Sequence, residues 1–188
     1  MTRRVFDLLA SAAGILLVII LIVAGALLMW GYSFANSQVH NQLAQQQIFF
    51  PPKSQMTSEM TPYIGQWAGQ QVLTGAQAEG YADHYIAVHL SEMPYGGVYS
   101  KISAAAQKDP NNAQLKQLQA TSFMGTTLRG LLLQAYAFGT LATIALWAGI
   151  AAFIGAFLLL LLVLFGFWHA RRTPPEKEFL APKAAANR

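Results

Sequence analysis

A run of 38 residues without a charged side chain, from Leu131 to Trp168, constrains the fold of this chain more than any other feature. As a helix this run would be roughly 57 Å long, whereas the hydrocarbon core of a bilayer is about 30 Å thick. Trp147 lies 21 residues before Trp168, roughly 31 Å along a helix, which is typical of two interfacial anchors on one span. The pattern therefore predicts a transmembrane helix at 147–168 that continues outside the membrane as an apolar helix.

A second uncharged run, from Leu8 to Trp30, contains 23 residues and is long enough to cross a bilayer. It exceeds the roughly 7–15 apolar residues of a signal peptide, which favours a span over a cleaved signal. Only 11% of the residues are charged, against about 25% in soluble domains. Two spans are therefore predicted, with membrane-interface residues at Trp30, Tyr32, Trp147, Trp168, Arg171 and Arg172.

The net charge of +4 lies entirely on the two ends of the chain. Residues 1–7 carry +1 and residues 169–188 carry +3, whereas five basic and five acidic residues cancel between the spans. Because Lys and Arg beside membrane spans prefer the cytoplasm, both termini are predicted to be cytoplasmic. We attribute the positive charge to topology and anionic lipids and expect no nucleic-acid partner.

These patterns predict a multi-pass protein of the plasma membrane. The predicted order is a cytoplasmic N-terminus at 1–7, a span at 8–30, an extracytoplasmic helical domain at 31–146 that includes the outer part of the second helix, a span at 147–168 and a disordered basic cytoplasmic tail at 169–188.

The central region is predicted to be all-α, because long alternating runs of β-branched residues are missing. The prolines of Ile48–Pro52 end the first helix. Thr74 with Gln77 has the form of a capping box that begins a helix reaching about Met93. Asp109–Pro110 offers an N-cap followed by proline at the first helical position. Helices at 38–47 and 74–93 should cover the outer half of the long apolar run.

The densest polar cluster consists of Glu79, Asp83, His84, His89 and Glu92, of which His84, His89 and Glu92 are weak candidates for metal ligands. His84 and His89 are five positions apart and point about 140° away from each other on a helix, whereas a zinc pair requires one face. Interhelical hydrogen bonding is therefore favoured over metal binding. The chain also lacks cysteine, a G-x-S-x-G elbow and a glycine-rich phosphate loop. We expect no cofactor, no catalytic residue and no enzymatic activity.

Small residues four apart predict close helix packing, which in membranes depends on close approach of the backbones. Pairing of the two spans of one chain is favoured over dimerisation. The apolar runs hold no ionisable side chain, which argues against a channel or transporter acting alone. The predicted packing residues are Gly14, Gly139, Thr143, Gly149 and Gly155.

Two stretches, Tyr81–Leu90 and Thr127–Phe138, resemble a group of actinobacterial membrane proteins without an assigned activity. That group has one span, an outer region of similar size and a second span that ends in aromatic and basic residues. The resemblance extends from the first span to about Arg172. It implies a Gram-positive plasma membrane with the central domain facing the cell wall, and it transfers no catalytic residue or ligand.

Three functions remain open. The leading hypothesis is a non-enzymatic accessory or scaffold subunit whose external domain docks another membrane protein or a second copy, in addition to contacting the lipid bilayer. The alternative is a lipid or envelope-glycolipid binder that uses Phe49, Phe50, Trp67 and Tyr136 as contacts. The weakest is an extracytoplasmic metal-dependent enzyme that uses His84, His89 and Glu92.

Overall fold

The computed structural model describes residues 3–172, so most of the predicted tail lies outside the described residues. This part of the chain is helical without a β-strand, which confirms the all-α prediction for it. Its α-helices are α1 (Arg3–Gln46), α2 (Thr61–Ile64), α3 (Gly75–Tyr81), α4 (Ala87–Ser91), α5 (Tyr99–Lys108) and α6 (Ala113–Arg172). Short 3-10 helices lie at Lys53–Gln55, Gly65–Trp67 and Pro94–Gly97, and a π-helical turn, Ala82–Ile86, joins α3 to α4.

The long helix α1 ends where the sequence predicts. Gln47 adopts a positive φ of 51°, and the chain then runs extended toward the two prolines. The amide of Phe50 donates to the carbonyl of Gln70 at 2.9 Å, and the amide of Val72 donates to the carbonyl of Ile48 at 2.8 Å. These bonds replace the helical ones that the proline pair prevents.

The predicted capping box is confirmed at the start of α3. The amide of Gln77 donates to Thr74 Oγ1 at 3.2 Å, and the amide of Thr74 donates to Gln77 Oε1 at 3.1 Å. The predicted helix to Met93 is not uniform, because the π-helical turn interrupts it and α4 ends at Ser91. Such a turn inserts one residue into the helical repeat and rotates the side chains that follow it.

The start of α6 differs from the prediction of an N-cap at Asp109. The helix begins at Ala113, because Asn112 Oδ1 accepts from the amide of Leu115 at 3.1 Å. Asp109 contacts Asn112 instead, its Oδ2 accepting from Nδ2 at 3.1 Å. The asparagine therefore caps the helix, and the aspartate holds the asparagine.

The chain divides into two compact units, a two-helix unit of residues 3–31 and 144–172 and a multi-helix unit of Tyr32–Thr143. Both α1 and α6, which contribute to each unit, are long and apolar enough to cross a membrane.

Small residues line the contact between α1 and α6 in the two-helix unit. The space around Gly14 is filled by Val163, and a Cβ at Gly149 would lie 3.3 Å from the carbonyl oxygen of Gly25. Gly155 is looser, since a Cβ there would lie 3.8 Å from Leu21. These glycines therefore allow the backbones of the two helices to approach each other closely.

The other two residues predicted for packing belong to the multi-helix unit. A Cβ added at Gly139 would lie 3.2 Å from the Cα of Gly75. The absence of a side chain at Gly139 therefore lets the start of α3 pack closely against α6. Thr143 is exposed and donates to the carbonyl of Gly139 in its own helix at 3.0 Å.

The core of the multi-helix unit joins α6 to α1 and to the α3–α4 segment. Leu132 of α6 is buried together with Val39 and Leu43 of α1. The same cluster contains Phe50, Met60, Ile64, Val72, Ala78, Ala82, Ile86 and Val88. Residues from 38–47 and 74–93 therefore pack against Leu132 of α6, whereas Leu131, Phe138 and Leu141 of the same apolar run stay exposed.

Candidate functional site

A groove of about 570 Å³ opens between α1 and α6 within the multi-helix unit. Cavities of this size are typical of small-molecule sites. The residues of its floor, Val39, Leu43 and Leu132, are buried members of the core. The remaining lining residues are Phe34, Ala35, Gln38, Gln42, Gln46, Leu131, Gln134, Ala135 and Phe138. We call this cavity the α1–α6 groove.

The wall from α1 follows from helical spacing. Val39 and Leu43 are four positions apart, so they share a helical face, and that face is buried in the core. Gln38, Gln42 and Gln46, also four positions apart, form a neighbouring row on the surface of α1. The three glutamine side chains are exposed. Among the described residues, no hydrogen bond joins any of the three to another group of the protein. Their amides are therefore available to water or to a ligand.

The wall from α6 is more apolar. Leu131 and Phe138, seven residues apart on one face, remain 55% and 51% exposed, and Gln134 lies between them. Two large apolar side chains of α6 therefore stay open beside the groove.

No charged side chain is among the residues that line the groove. The nearest cation along α6, Arg129, is bound elsewhere: its Nη2 lies 2.7 Å and its Nε 3.2 Å from Asp83 Oδ1. Asp83 belongs to the π-helical turn, so the turn directs a carboxylate toward this guanidinium. The groove thus combines an apolar floor with a neutral amide rim.

The aromatic end of the groove carries Phe34 and Phe138. Phe34 follows the predicted interface residue Tyr32 by two positions on α1, and Tyr32 is half-buried in the same unit. The other predicted interface residues belong to the two-helix unit, where Trp30, Trp147 and Trp168 are exposed and the guanidinium of Arg172 lies 4.2 Å from the Trp168 ring. Arg171 is exposed as well.

The four residues predicted to contact a lipid or partner are not part of the groove lining. Phe50 is 2% exposed and packs against Trp67, with ring centroids 5.5 Å apart. Phe49 is exposed on the extended segment after α1, and Tyr136 is half-buried beside Gly75. The sequence signal that would have found the groove is the glutamine row next to Val39 and Leu43.

The candidate metal ligands have other contacts. His84 stacks on Tyr63, with ring centroids 3.9 Å apart and an interplanar angle of 1°. His89 Nδ1 donates to the carbonyl oxygen of Tyr85 at 2.8 Å, and Glu92 is exposed. Within residues 3–172, the structure contains no group of three or more His, Asp or Glu that could hold a metal ion.

One polar contact was not anticipated from the sequence. Asp7 Oδ2 lies 2.9 Å from His169 Nδ1 in the two-helix unit, so each of the two helices contributes one polar side chain to a contact just outside the uncharged runs. The residues are 162 positions apart, and no local pattern connects them.

Comparison of the chain with protein-family models, with curated proteins and with solved structures finds no match.

Proposed function

We propose that this chain is an integral membrane protein whose multi-helix unit binds the acyl chain of a membrane amphiphile in the α1–α6 groove. In this proposal α1 and α6 span the plasma membrane, both termini are cytoplasmic and the multi-helix unit is extracytoplasmic. Two long apolar helices and the charge asymmetry of the sequence support the membrane assignment. The observation that carries the function is the groove itself, with its buried apolar floor.

An acyl chain matches the shape and chemistry of the groove. The lining runs along α1 from Phe34 to Gln46, roughly 18 Å by helical rise, which suits an elongated ligand. Each methylene group that leaves water gains about 0.8 kcal/mol. Leu131 and Phe138 would lose their exposure to water at the same time, which adds to the gain.

The aromatic end of the groove offers an entry for the ligand. Phe34 and Phe138 lie at this end, and Tyr32 precedes it on α1 as a predicted interface residue. Aromatic side chains prefer the boundary between hydrocarbon and water. An amphiphile could therefore slide from the membrane surface into the groove without exposing its chain to water.

Lipid retention tests this function. The full chain is extracted with a mild detergent and its bound lipids are counted by native mass spectrometry. The substitution Ala35→Trp places a large side chain in the lining and should abolish most of the retained lipid. Gln134→Trp blocks the groove from an exposed position where misfolding is not expected.

The matched control is Ser33→Trp, on the same turn of α1 but outside the lining. It should retain lipid like the parent chain. Equal retention by the parent chain and both groove variants would contradict the proposal, and so would a parent chain that carries no lipid. The accessory-subunit function stays a prediction, which a protein co-purifying in the same extraction would support.

A further inference from the structure

The rim of the α1–α6 groove carries no charged side chain, and this restricts which lipid head group can bind there. We propose that the groove selects an amphiphile with a neutral, hydroxyl-bearing head group over an anionic phospholipid. This inference rests on the proposed lipid-binding function and specifies its ligand class. It follows from three properties of the site: the amides that line it, the absence of a lining cation and the engagement of Arg129 by Asp83.

The amides are suited to hydroxyl groups. Gln38, Gln42 and Gln46 form a row at intervals of four residues on α1, and Gln134 stands on the α6 wall. Each primary amide has two N–H donors and a carbonyl acceptor, so it can both donate to and accept from a hydroxyl. A phosphate only accepts, and it leaves the amide carbonyls without a donor.

The charge of the lining argues against a phosphate. An anionic head group is normally held by Arg or Lys, because its removal from water is costly without an opposite charge. The residues that line the groove include no Lys, Arg or His. His40 follows Gln38 by two positions, about 200° around the helix, and therefore points away from the glutamine row.

Arg129 is the basic residue closest in sequence to the α6 wall, two positions before Leu131. Asp83 holds its guanidinium through two nitrogens at 2.7 Å and 3.2 Å. The ion pair fixes the positive charge on the α3–α4 side of α6 and neutralises it there. Asp83 contacts two of the three guanidinium nitrogens, so an anionic ligand in the groove would compete with this carboxylate for the cation.

A competition experiment tests the selection. The full chain in mild detergent receives equimolar monoglycosyl diacylglycerol and phosphatidylglycerol with identical acyl chains, and native mass spectrometry measures the bound ratio. The parent chain should favour the neutral lipid about fivefold or more, because phosphatidylglycerol, which also carries hydroxyls, brings an unpaired phosphate charge to a lining without a cation. Gln42→Lys adds a cation to the rim and should reverse the preference.

The matched control is Gln45→Lys, an exposed position of α1 outside the lining, which should leave the ratio unchanged. Binding of both lipids in equal amounts would overturn the head-group selection while the lipid-binding function stands. A preference of the parent chain for phosphatidylglycerol would overturn it as well. Failure of both lipids to bind would instead remove the proposed function, so the two failures are distinguishable.

Discussion

Arg129 and Asp83 form an ion pair in which a single carboxylate oxygen, Oδ1, accepts from two guanidinium nitrogens at 2.7 Å and 3.2 Å. The pair connects α6 with the π-helical turn across 46 positions of the sequence. The two side chains are 41% and 34% exposed, so solvent screens their attraction. We therefore expect the ion pair to add little to the free energy of unfolding. Its main effect is to fix the position of the Arg129 guanidinium.

A double-mutant cycle of Asp83→Asn and Arg129→Gln should give a small coupling. We expect about 0.5–1 kcal/mol, because exposed pairs contribute little to the free energy of unfolding. Thermal unfolding of the purified chain in detergent, followed by circular dichroism, measures it. A coupling several times larger would mean that the pair is buried in solution.

The hydroxyl of Ser122 should be important for stability. It is fully buried and donates to the carbonyl of Gly97 at 2.7 Å. Ser122→Ala leaves that carbonyl without its donor, which should lower the free energy of unfolding by about 1–3 kcal/mol. Thr126→Ala, on an exposed position of the same helix, is the control and should change it little. Equal unfolding temperatures for the two variants would disprove the assignment.

Gly14 should tolerate no side chain while Val163 is present. A Cβ at Gly14 would overlap the Cγ2 atom of Val163, whose β-branched side chain is stiff. Gly14→Ala should therefore destabilise the two-helix unit by about 1–3 kcal/mol, and Val163→Ala should restore part of the loss. Gly31→Ala is the control, since nothing lies within 4 Å of a Cβ there. If Val163→Ala does not restore stability to Gly14→Ala, the overlap between residues 14 and 163 is not the cause of the destabilisation.

Tyr81 should make the protein less stable at high pH. Burial, with a further contribution from Tyr85, raises the pKa of Tyr81 from 10.0 to about 12. The unfolded chain therefore loses this proton near pH 10.0, whereas the folded chain holds it to about pH 12, so stability falls over that interval and is unaffected below it. Between pH 10.0 and about 12, the unfolding temperature of the parent chain should therefore fall relative to that of Tyr81→Phe. Parallel pH profiles would contradict this.

The proposed topology can be read by labelling, because the chain contains no cysteine. A membrane-impermeant maleimide on intact cells should label Lys108→Cys, an exposed position of the multi-helix unit. Arg171→Cys, exposed in the two-helix unit, should react only after lysis. The positive-inside distribution of Lys and Arg underlies this expectation. The opposite labelling pattern would place the termini outside.

The local features of the fold were predictable from the sequence. The end of α1 before Ile48–Pro52 follows from proline, and the start of α3 follows from the Thr74 capping box. Each depends on residues within one helical turn. The sequence alone does not locate the start of α6, because Asp109 and Asn112 are both good caps and only the contact between them decides which one faces the helix.

The candidate site was much less predictable. Phe50 was a plausible ligand contact by residue type, but its burial against Trp67 makes it part of the core. Gln42 belongs to the glutamine row beside Val39 and Leu43, which is visible in the sequence, but it becomes a groove residue only because α6 lies opposite. The role of a side chain in a site depends on what packs beside it, and that is set by distant parts of the chain.

By itself, the sequence determined the all-α class and two helices long and apolar enough for a membrane, because helix length, hydropathy and capping act over neighbouring residues. The tertiary structure alone decided that α6 and α1 enclose a groove, that Asp83 engages Arg129, and that Asp7 meets His169. These contacts join residues tens of positions or more apart, and their geometry depends on how whole helices pack.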